Sequence, residues 1–575
     1  MLFEEQKRSS GFIAALHGFM KRLLASAVFI TSLLPALNGC ITHQPDTNPL
    51  PLFDVPATFS MAPDDAAPPM DAWWTVFDDS ELDSLVDMAM AQNFTLAEGL
   101  SRIEQSQALL RQFKAVRKPQ IDAATSFERR YERELETRPA SGSGSGSSSQ
   151  GSSSSSNSGG SGGSGAKNAK SIWSKQQTAD YQGAQNAEDE SSGNSRLSPN
   201  PDESKPDKDS YETQITAGIA LTWELDLWGR LKSVVRAERA ELAALQEDYR
   251  ALRLFLSAQV AEAYYQAVEQ RMQYALLMEQ RSLAETFLEL LELRFLQGSA
   301  TGVDLLQQRG QLAEIDAEVP VVQSELGLLE NRLDVLVGMP PDGRDRTNGV
   351  VLALPESARL PELGVPLELL RNRPDLQALQ HRVVASDYDV TAAIAERLPR
   401  VTLDGSLVYT DGTNIPRLTG AGSMALFQPL LDWGLRKAAV DASRETLAQN
   451  LLAFTETYLV AIEEVETALW QEARQRERID ALASREEILM RTVEETRQRY
   501  SLGVSDYLPV ITALEALQNV QRNLLQERRA LVSLRIQIYR AIGGATGQPM
   551  NTARAAPSPR QELFPPVTVE ELNSP

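Results

Sequence analysis

WGRLKSVVRAERAELAALQ (Trp228 to Gln246) opens a segment that the chain writes twice, for WGLRKAAVDASRETLAQNL (Trp433 to Leu451) lies 205 positions downstream. The same offset carries Arg294-Phe295 and Gly298 onto Arg499-Tyr500 and Gly503, and Gly338 onto Gly543. Landmarks that keep one spacing without a gap over so long a stretch mark an internal duplication, a signal at the level of the whole fold. Between them, from Arg230 to Gln297 and again from Leu435 to Leu502, there is neither Gly nor Pro. An ordinary globular helix runs about 8–20 residues, whereas one helix over either run reaches roughly 100 Å. Apolar residues recur at alternating three- and four-residue spacings through Leu242, Leu245, Tyr249, Leu252 and Leu256, and through Leu447, Leu451, Phe454, Tyr458, Ala461 and Val465. That is a coiled-coil seam, and these runs alone fit a plain antiparallel coiled coil equally well.

A second self-similarity lies upstream of each long run. Asn93 to Pro119 aligns with Arg373 to Pro399 at an offset of 280. Each is a helical pattern closed by proline, after which the period changes to two. Ile121, Ala123, Thr125 and Phe127 share one face of a predicted strand, and Val401, Leu403, Gly405, Leu407 and Tyr409 share one face of another. Partner strands precede each Trp-Gly: Ile215, Ala217, Ile219, Leu221 and Trp223 in the first, Gly422, Met424 and Leu426 in the second. Each copy therefore reads helix, strand, loop, strand, very long helix, turn, helix, and the chain supplies four strands.

Four strands cannot close a barrel, and lipid tolerates no open edge. The smallest bacterial outer-membrane barrels use about eight strands. Either the strands form a small soluble sheet, or several chains share one barrel, three of them supplying twelve strands. Trp223, Trp228, Trp433, Phe127, Tyr131 and Tyr409 sit near strand ends, as the aromatic girdles of membrane barrels do, and favour the shared barrel.

The net charge of −22 argues against nucleic acid as a partner, since no basic stripe is present to neutralise phosphates. No apolar span of the length a membrane helix needs lies beyond the N-terminus. Lys21 and Arg22 precede an apolar run from Leu23 to Leu37, followed by Asn38-Gly39-Cys40. A basic start, a short apolar core and a small residue before the cut describe a secretory signal over residues 1–39, with Met20 as an alternative start. Cys40 is the only cysteine, which excludes an internal disulfide. Its position resembles a bacterial lipobox, in which the thiol takes diacylglycerol and anchors the chain to the outer-membrane lipid. Ile41 follows it, so the aspartate that retains such proteins in the inner membrane is absent.

The two strand-to-strand loops differ greatly in length, and the excess in the first lies at about 139–209. It is Ser/Gly-rich from Ser141 to Gly165 and then polar with scattered charge, a composition that cannot bury enough apolar surface to order itself. It reads as a disordered insertion at a loop tip, where a scaffold tolerates length.

These pieces, in this order, resemble the TolC-type outer-membrane efflux proteins, and within them the lipoprotein branch serving resistance-nodulation-division pumps. WWTVFDDSELDSLVDMAMAQNFTL (Trp73 to Leu96) is similar to that branch's opening motif. WELDLWGRLKSVVRAERAE (Trp223 to Glu241) and FQPLLDWGLRKAAVDAS (Phe427 to Ser443) resemble its two strand-to-helix transitions, and PLELLRNRPDLQALQHRV (Pro366 to Val383) its mid-chain motif. The resemblance implies a mainly α fold with a shared β-barrel. Three protomers would make one twelve-stranded outer-membrane barrel continuous with a long periplasmic α-helical barrel, with a two-fold sequence repeat in each chain. On that frame, 40–92 is a lipid-anchored N-terminal and equatorial segment, 93–338 the first repeat, 339–370 an equatorial linker, 371–544 the second repeat and 545–575 a C-terminal tail.

The function it implies is passive: an exit duct of a tripartite efflux system, conducting drugs or other small compounds from a periplasmic adaptor and inner-membrane pump to the exterior. A type I protein-secretion duct and a lipid-anchored coiled-coil scaffold without a pore are the alternatives. Nothing supplies energy or catalysis. There is no Gly-Lys-Ser/Thr phosphate loop, and His17, His43 and His381 stand apart, so neither a metal centre nor any other cofactor is expected. The resemblance places the adaptor contacts at two turns, Arg294, Phe295 and Gly298 in one and Arg499, Tyr500 and Gly503 in the other. It places the periplasmic gate at Asp304, Tyr500, Asp506, Leu508 and Thr512. Asp304 and Tyr500 match family positions, and Leu508 matches an apolar ring. A basic partner of the acid falls at Ser505 and an acidic ring at Thr512, which leaves Asp506 as the nearby acid on that helix and apolar constriction by Leu508 as the expected closure. Trp223, Trp228 and Trp433 are expected at the membrane interface. Pro320 should interrupt and kink the helix after the first turn, since position 525 in the second copy is Leu.

Overall fold

A computed structural model describes residues 43–60, 66–67, 72–133, 209–346, 353–355, 360–361, 363–412 and 415–544. The expected signal, Cys40, most of the Ser/Gly-rich insertion and the C-terminal tail lie outside the described residues. Asp209, placed at the end of the insertion by sequence, already belongs to a strand.

Seven principal helices are α1 (Ser80–Gln92), α2 (Phe94–Val116), α3 (Arg230–Leu296), α4 (Gly302–Leu336), α5 (Pro374–Ala395), α6 (Leu435–Ser501) and α7 (Leu508–Ala541). Four strands are β1 (Gln120–Arg133), β2 (Asp209–Leu225), β3 (Arg400–Asp411) and β4 (Arg417–Phe427), hydrogen-bonded in that order in one sheet. A separate pair of two-residue strands joins Ala66 to Leu360 and Ala67 to Pro361 in parallel. By chain position there are two compact units, one of residues 1–122, 220–405 and 422–575, the other of 123–219 and 406–421.

In the larger unit, α3 and α6 are each a single helix of 67 residues. Both begin directly after a glycine in the left-handed region, Gly229 at φ 76° and Gly434 at φ 89°. Both end in the same stop. The N–H of Ser299 reaches the Arg294 carbonyl at 2.9 Å and that of Gly298 the Phe295 carbonyl at 3.0 Å; Val504 and Gly503 repeat this with Arg499 and Tyr500. This paired bond needs a left-handed residue, which glycine supplies without a Cβ penalty. α4 and α7 finish the same way at Gly338 and Gly543. Other helices start on side-chain caps: Asp79 accepts from Glu81 and Leu82, and Asn93 from Thr95 and Leu96. α4 runs unbroken through Pro320. The interruption expected there does not occur, because the ring removes one donor from an exposed turn while the turns on either side keep theirs.

α3 lies between α2 and α5, and α5 between α3 and α6. Toward the far ends of the long helices, α3 packs on α4 and α7, and α6 on α7. One core gathers Trp73, Phe77 and α1 against Ala258, Val260, Ala261, Tyr264, Tyr265 and Val268 of α3 and Tyr539 of α7. Trp73 is 1% exposed, stacks on Tyr539 and donates its indole N–H to Ser257 at 2.9 Å. A second core sets Phe59, Leu360, Leu363, Leu369 and Leu376 against Tyr458, Ala461 and Val465 of α6 and Ile538 of α7. The predicted seam on α6 is buried at Phe454, Tyr458, Ala461 and Val465, whereas on α3 only Leu256 of the five named positions is fully buried.

The ends of α4 and α7 dock through the same joint. Asn93, the cap of α2, donates to the Leu336 carbonyl at 2.9 Å, and Arg373, at the start of α5, donates to the Ala541 carbonyl at 3.0 Å. Beside these bonds Gly338 lies against the carbonyl of Gln92 and Gly543 against that of Asn372, so closely that a Cβ on either would overlap the oxygen. Gly229 has the same backbone sign and open space around it. Gly229→Ala should therefore cost only the left-handed penalty, about 1–2 kcal/mol. Gly338→Ala and Gly543→Ala should cost clearly more, read as a larger fall in the thermal unfolding midpoint; equal falls at all three positions would refute the joint.

Candidate functional site: the helix turns and the start of the last helix

The two turns named from sequence lie side by side. The Arg294 guanidinium sits 4.7 Å from the centre of the Tyr500 ring and donates to the Tyr500 carbonyl at 3.4 Å. A cation over an aromatic face contributes about 0.5–2 kcal/mol, so the end of the first long helix is tied to the end of the second. Tyr500 packs with Leu291, Tyr507, Val510 and Ile511 in a small buried cluster. Arg499, the counterpart of Arg294, instead pairs with Glu495 on its own helix, and Phe295 is largely exposed. Gly298 and Gly503 are helix caps with open space about them.

The expected gate residues are divided between two surroundings. Asp304 closes a reciprocal cap, its carboxylate accepting from the Thr301 N–H at 2.8 Å while the Thr301 hydroxyl accepts from the Asp304 N–H at 3.2 Å. Such a box secures the first turn of α4. Leu508 is the first residue of α7 and 55% exposed. Thr512, one turn on, is exposed and donates to the Leu508 carbonyl at 2.9 Å. Asp506 precedes the helix, in the linker before Tyr507, and so is not the acid of that helix. The acid that α7 itself carries nearby is Glu515, exposed and seven positions from Leu508, on the same face.

Tyr507 and Gln308 were not singled out by sequence. Tyr507 is fully buried, its hydroxyl donates to the Gln308 side-chain carbonyl, and Gln308 donates in turn to the Ala284 carbonyl at 2.9 Å. Burial pushes the Tyr507 phenol upward, with Tyr500, Asp304 and Glu515 adding to the shift, so it remains a neutral donor. Deeper in the same seam Gln311 donates to Gln518 at 3.1 Å and Gln273 to the Arg522 carbonyl at 2.9 Å. The line along which α3 and α4 meet α7 is thus partly a ladder of buried amides. The signal in sequence was a breach of the repeat: the positions 205 after Gln308 and Gln311 are Ala513 and Ala516.

The three tryptophans differ. Trp223 donates to the Arg117 carbonyl at 3.1 Å and Trp228 to the Pro399 carbonyl at 2.7 Å, both half-buried. Trp433 is 91% exposed. Among the described residues there is no cluster of three metal-ligating side chains, and no helix is long and apolar enough to cross a membrane.

The chain belongs to the outer membrane efflux protein family, whose sequence profile matches residues 179–339 and 365–544. It is 27% identical over 342 residues to the pyoverdine export outer membrane protein OpmQ of Pseudomonas putida, covering 58% of this chain and 71% of that one. It is 26% identical over 348 residues to the cation efflux system protein CusC of Escherichia coli, covering 58% and 74%. The solved outer-membrane channel OprN superposes with a TM-score of 0.68 at 22% identity, covering 88% of this chain and 98% of that chain, which establishes the shared fold. The family is one of transport channels, not of enzymes. This chain is accordingly an outer-membrane exit duct for efflux that extends into the periplasm.

Two tyrosine variants separate the contributions at the turns. Tyr507→Phe leaves the buried Gln308 oxygen without its donor and should cost about 1–3 kcal/mol. The Tyr500 hydroxyl is buried without a hydrogen-bond partner among the described residues, so Tyr500→Phe should be neutral or stabilising. Urea unfolding of the two would check the order, and the reverse order would exclude the Tyr507–Gln308 contact.

Proposed function

We propose that three copies of the chain share one twelve-stranded barrel and form the duct of a tripartite efflux system, taking small compounds from a periplasmic adaptor and an inner-membrane pump. The observation that carries this is the sheet. Among the described residues its order leaves β1 and β4 each unpaired along one edge, and Ile121, Phe127, Ile215, Ile219, Leu407 and Leu426 on its strands are exposed. Apolar exposure of this kind suits lipid, and unpaired edges do not. Sharing edges between copies meets both conditions, and four strands per chain close a ring of twelve. The matched lengths of α3 and α6, their matched caps and the duplicated joint support two copies of one unit within each chain, spanning 93–338 and 371–544, with 40–92 and 339–370 as the surrounding segments.

The duct is passive. One relative is named for pyoverdine export and another for cation efflux, cargoes of unlike chemistry, which favours selection by the pump and not by the channel. The turns at Arg294–Gly298 and Arg499–Gly503 are the adaptor contacts. The gate is formed by Leu508, Thr512 and Glu515 on one face of α7, with Leu508 supplying apolar constriction and Tyr500, Asp304 and Asp506 lying around it. In planar bilayers the purified chain should conduct, and Leu508→Ala should raise the open probability severalfold; an unchanged open probability removes Leu508 from the gate.

Acylated Cys40 anchors the chain to the outer membrane, and two or more acyl chains hold far better than one. Cys40→Ser should abolish incorporation of labelled palmitate while the protein still assembles. Retained label would place acylation elsewhere.

A further inference from the structure

The joint between the two copies within one chain is a template for a joint that the chain leaves open. Trp228, at the exit of the first copy, donates its indole N–H to the carbonyl of Pro399, at the entrance of the second. The residue 205 positions after Trp228 is Trp433, and the residue 280 positions before Pro399 is Pro119. The same pair is therefore present again, but as the exit of the second copy and the entrance of the first. Both of its members are exposed, Trp433 at 91%. We propose that Trp433 donates its indole N–H to the Pro119 carbonyl of a neighbouring copy of this chain, clasping one copy to the next where the helices meet the sheet. This rests on the closed ring of copies proposed above.

Three further observations point the same way. First, Trp433 has φ 52°, a conformation a bulky residue rarely adopts without something to hold it. The loop before it is longer than its counterpart, running from Phe427 to Trp433 against Leu225 to Trp228, and its capping acid stands one position nearer: Asp226, two positions before Trp228, caps Leu231 and Lys232, whereas Asp432, one position before Trp433, caps Gly434 and Arg436. Second, the helices are left open where this clasp would act. Among the described residues α3 is covered by α5, whereas α2 packs chiefly on α3, and α6 on α5 and α7, leaving Leu109 and Leu452 exposed at the two ends of the row. A neighbour's α2 would cover α6 as α5 covers α3.

Third, the side chains on those faces have changed character. The inner seam carries carboxylates. Asp389 and Glu238 lie in it, both pushed upward by burial, then by neighbouring carboxylates, and Arg382 is paired with Asp248. At the matching outer positions Asp389 becomes Leu109, Glu238 becomes Ser443 and Glu247 becomes Leu452. Leu109 and Leu452 are 41% and 58% exposed. The outer seam has given up acids for leucines while keeping the Trp–Pro pair, as a surface that another copy covers would.

The test uses the full-length chain in outer-membrane vesicles. Trp433→Cys combined with Pro119→Cys, treated with a short bifunctional maleimide, should give a denaturing-gel ladder ending at three times the monomer mass. Trp228→Cys with Pro399→Cys, treated alike, should stay at monomer mass. Trp433→Cys alone controls for linkage to Cys40. If the double variant stays at monomer mass while the untreated particle has trimer mass in detergent, the clasp is wrong, the ring stands and Trp433 faces lipid. If the untreated particle is a single copy, the ring reading itself falls and the clasp with it. Should the double variant fail to fold, Trp433→Phe keeps the ring and loses the donor. It should then lower the temperature at which the trimer dissociates, and an unchanged temperature overturns the proposal.

Discussion

Everything in the helical unit depends on a backbone-to-backbone approach made twice. Gly338 against Gln92 and Gly543 against Asn372 bring the ends of α4 and α7 onto the residues just before α2 and α5. Asn93 and Arg373 then bond across the same gap. The partners differ in charge and size, yet each delivers one donor to one carbonyl. What persists between the two joints is the requirement for no side chain at one point and a donor beside it. Trp73, Tyr264 and Tyr265 beside one joint, and Tyr458 and Leu376 beside the other, fill the space that this approach defines.

Away from the joint the packing changes. Near Trp73 the core is aromatic and aliphatic, while along the line where α3 and α4 meet α7 it includes Gln273, Gln280, Gln308, Gln311 and Gln518. Burying an amide is tolerable only when it is paired, and most of these find an amide or carbonyl partner. Such a seam holds the helices in register and contributes less cohesion per residue than leucine would. It leads to the turns, where the buried cluster of Leu291, Tyr500, Tyr507, Val510 and Ile511 closes it with Arg294 over the Tyr500 ring.

Much of this was legible in the sequence. Runs free of Gly and Pro, bounded by Trp-Gly and by Arg-aromatic-x-x-Gly, delivered two helices ending at Leu296 and Ser501, one residue from a stop set by glycine chemistry alone. The period-two stretches after Pro119 and Pro399 became β1 and β3. Side-chain partnership was less legible. Asp304 matched by position, but its carboxylate is held by Thr301, a local bond that its place three residues into a helix favours. With Thr512 in place of an acidic ring, sequence makes Asp506 the nearby acid of the last helix, yet that helix starts at Leu508 and its nearby acid is Glu515. Tyr507 and Gln308 meet only in three dimensions. Trp228 and Trp433 also meet different fates, and the loops before them differ, Leu225 to Trp228 against Phe427 to Trp433, which an alignment of the Trp-Gly pairs conceals.

Pro320 leaves one further consequence. It deprives the Asp316 carbonyl of its ordinary donor within α4, and the Asp316 side chain is the one that Arg281 of α3 grips at 2.6 Å, with Glu285 alongside at 2.8 Å. The softest turn of α4 is thus splinted from outside by a solvent-facing ion pair. Exposed pairs weaken as mobile ions accumulate around them, and the second copy has neither the proline nor the need for a splint. Added salt should therefore loosen this turn of α4, making the compliance of the periplasmic end a function of the surrounding electrolyte.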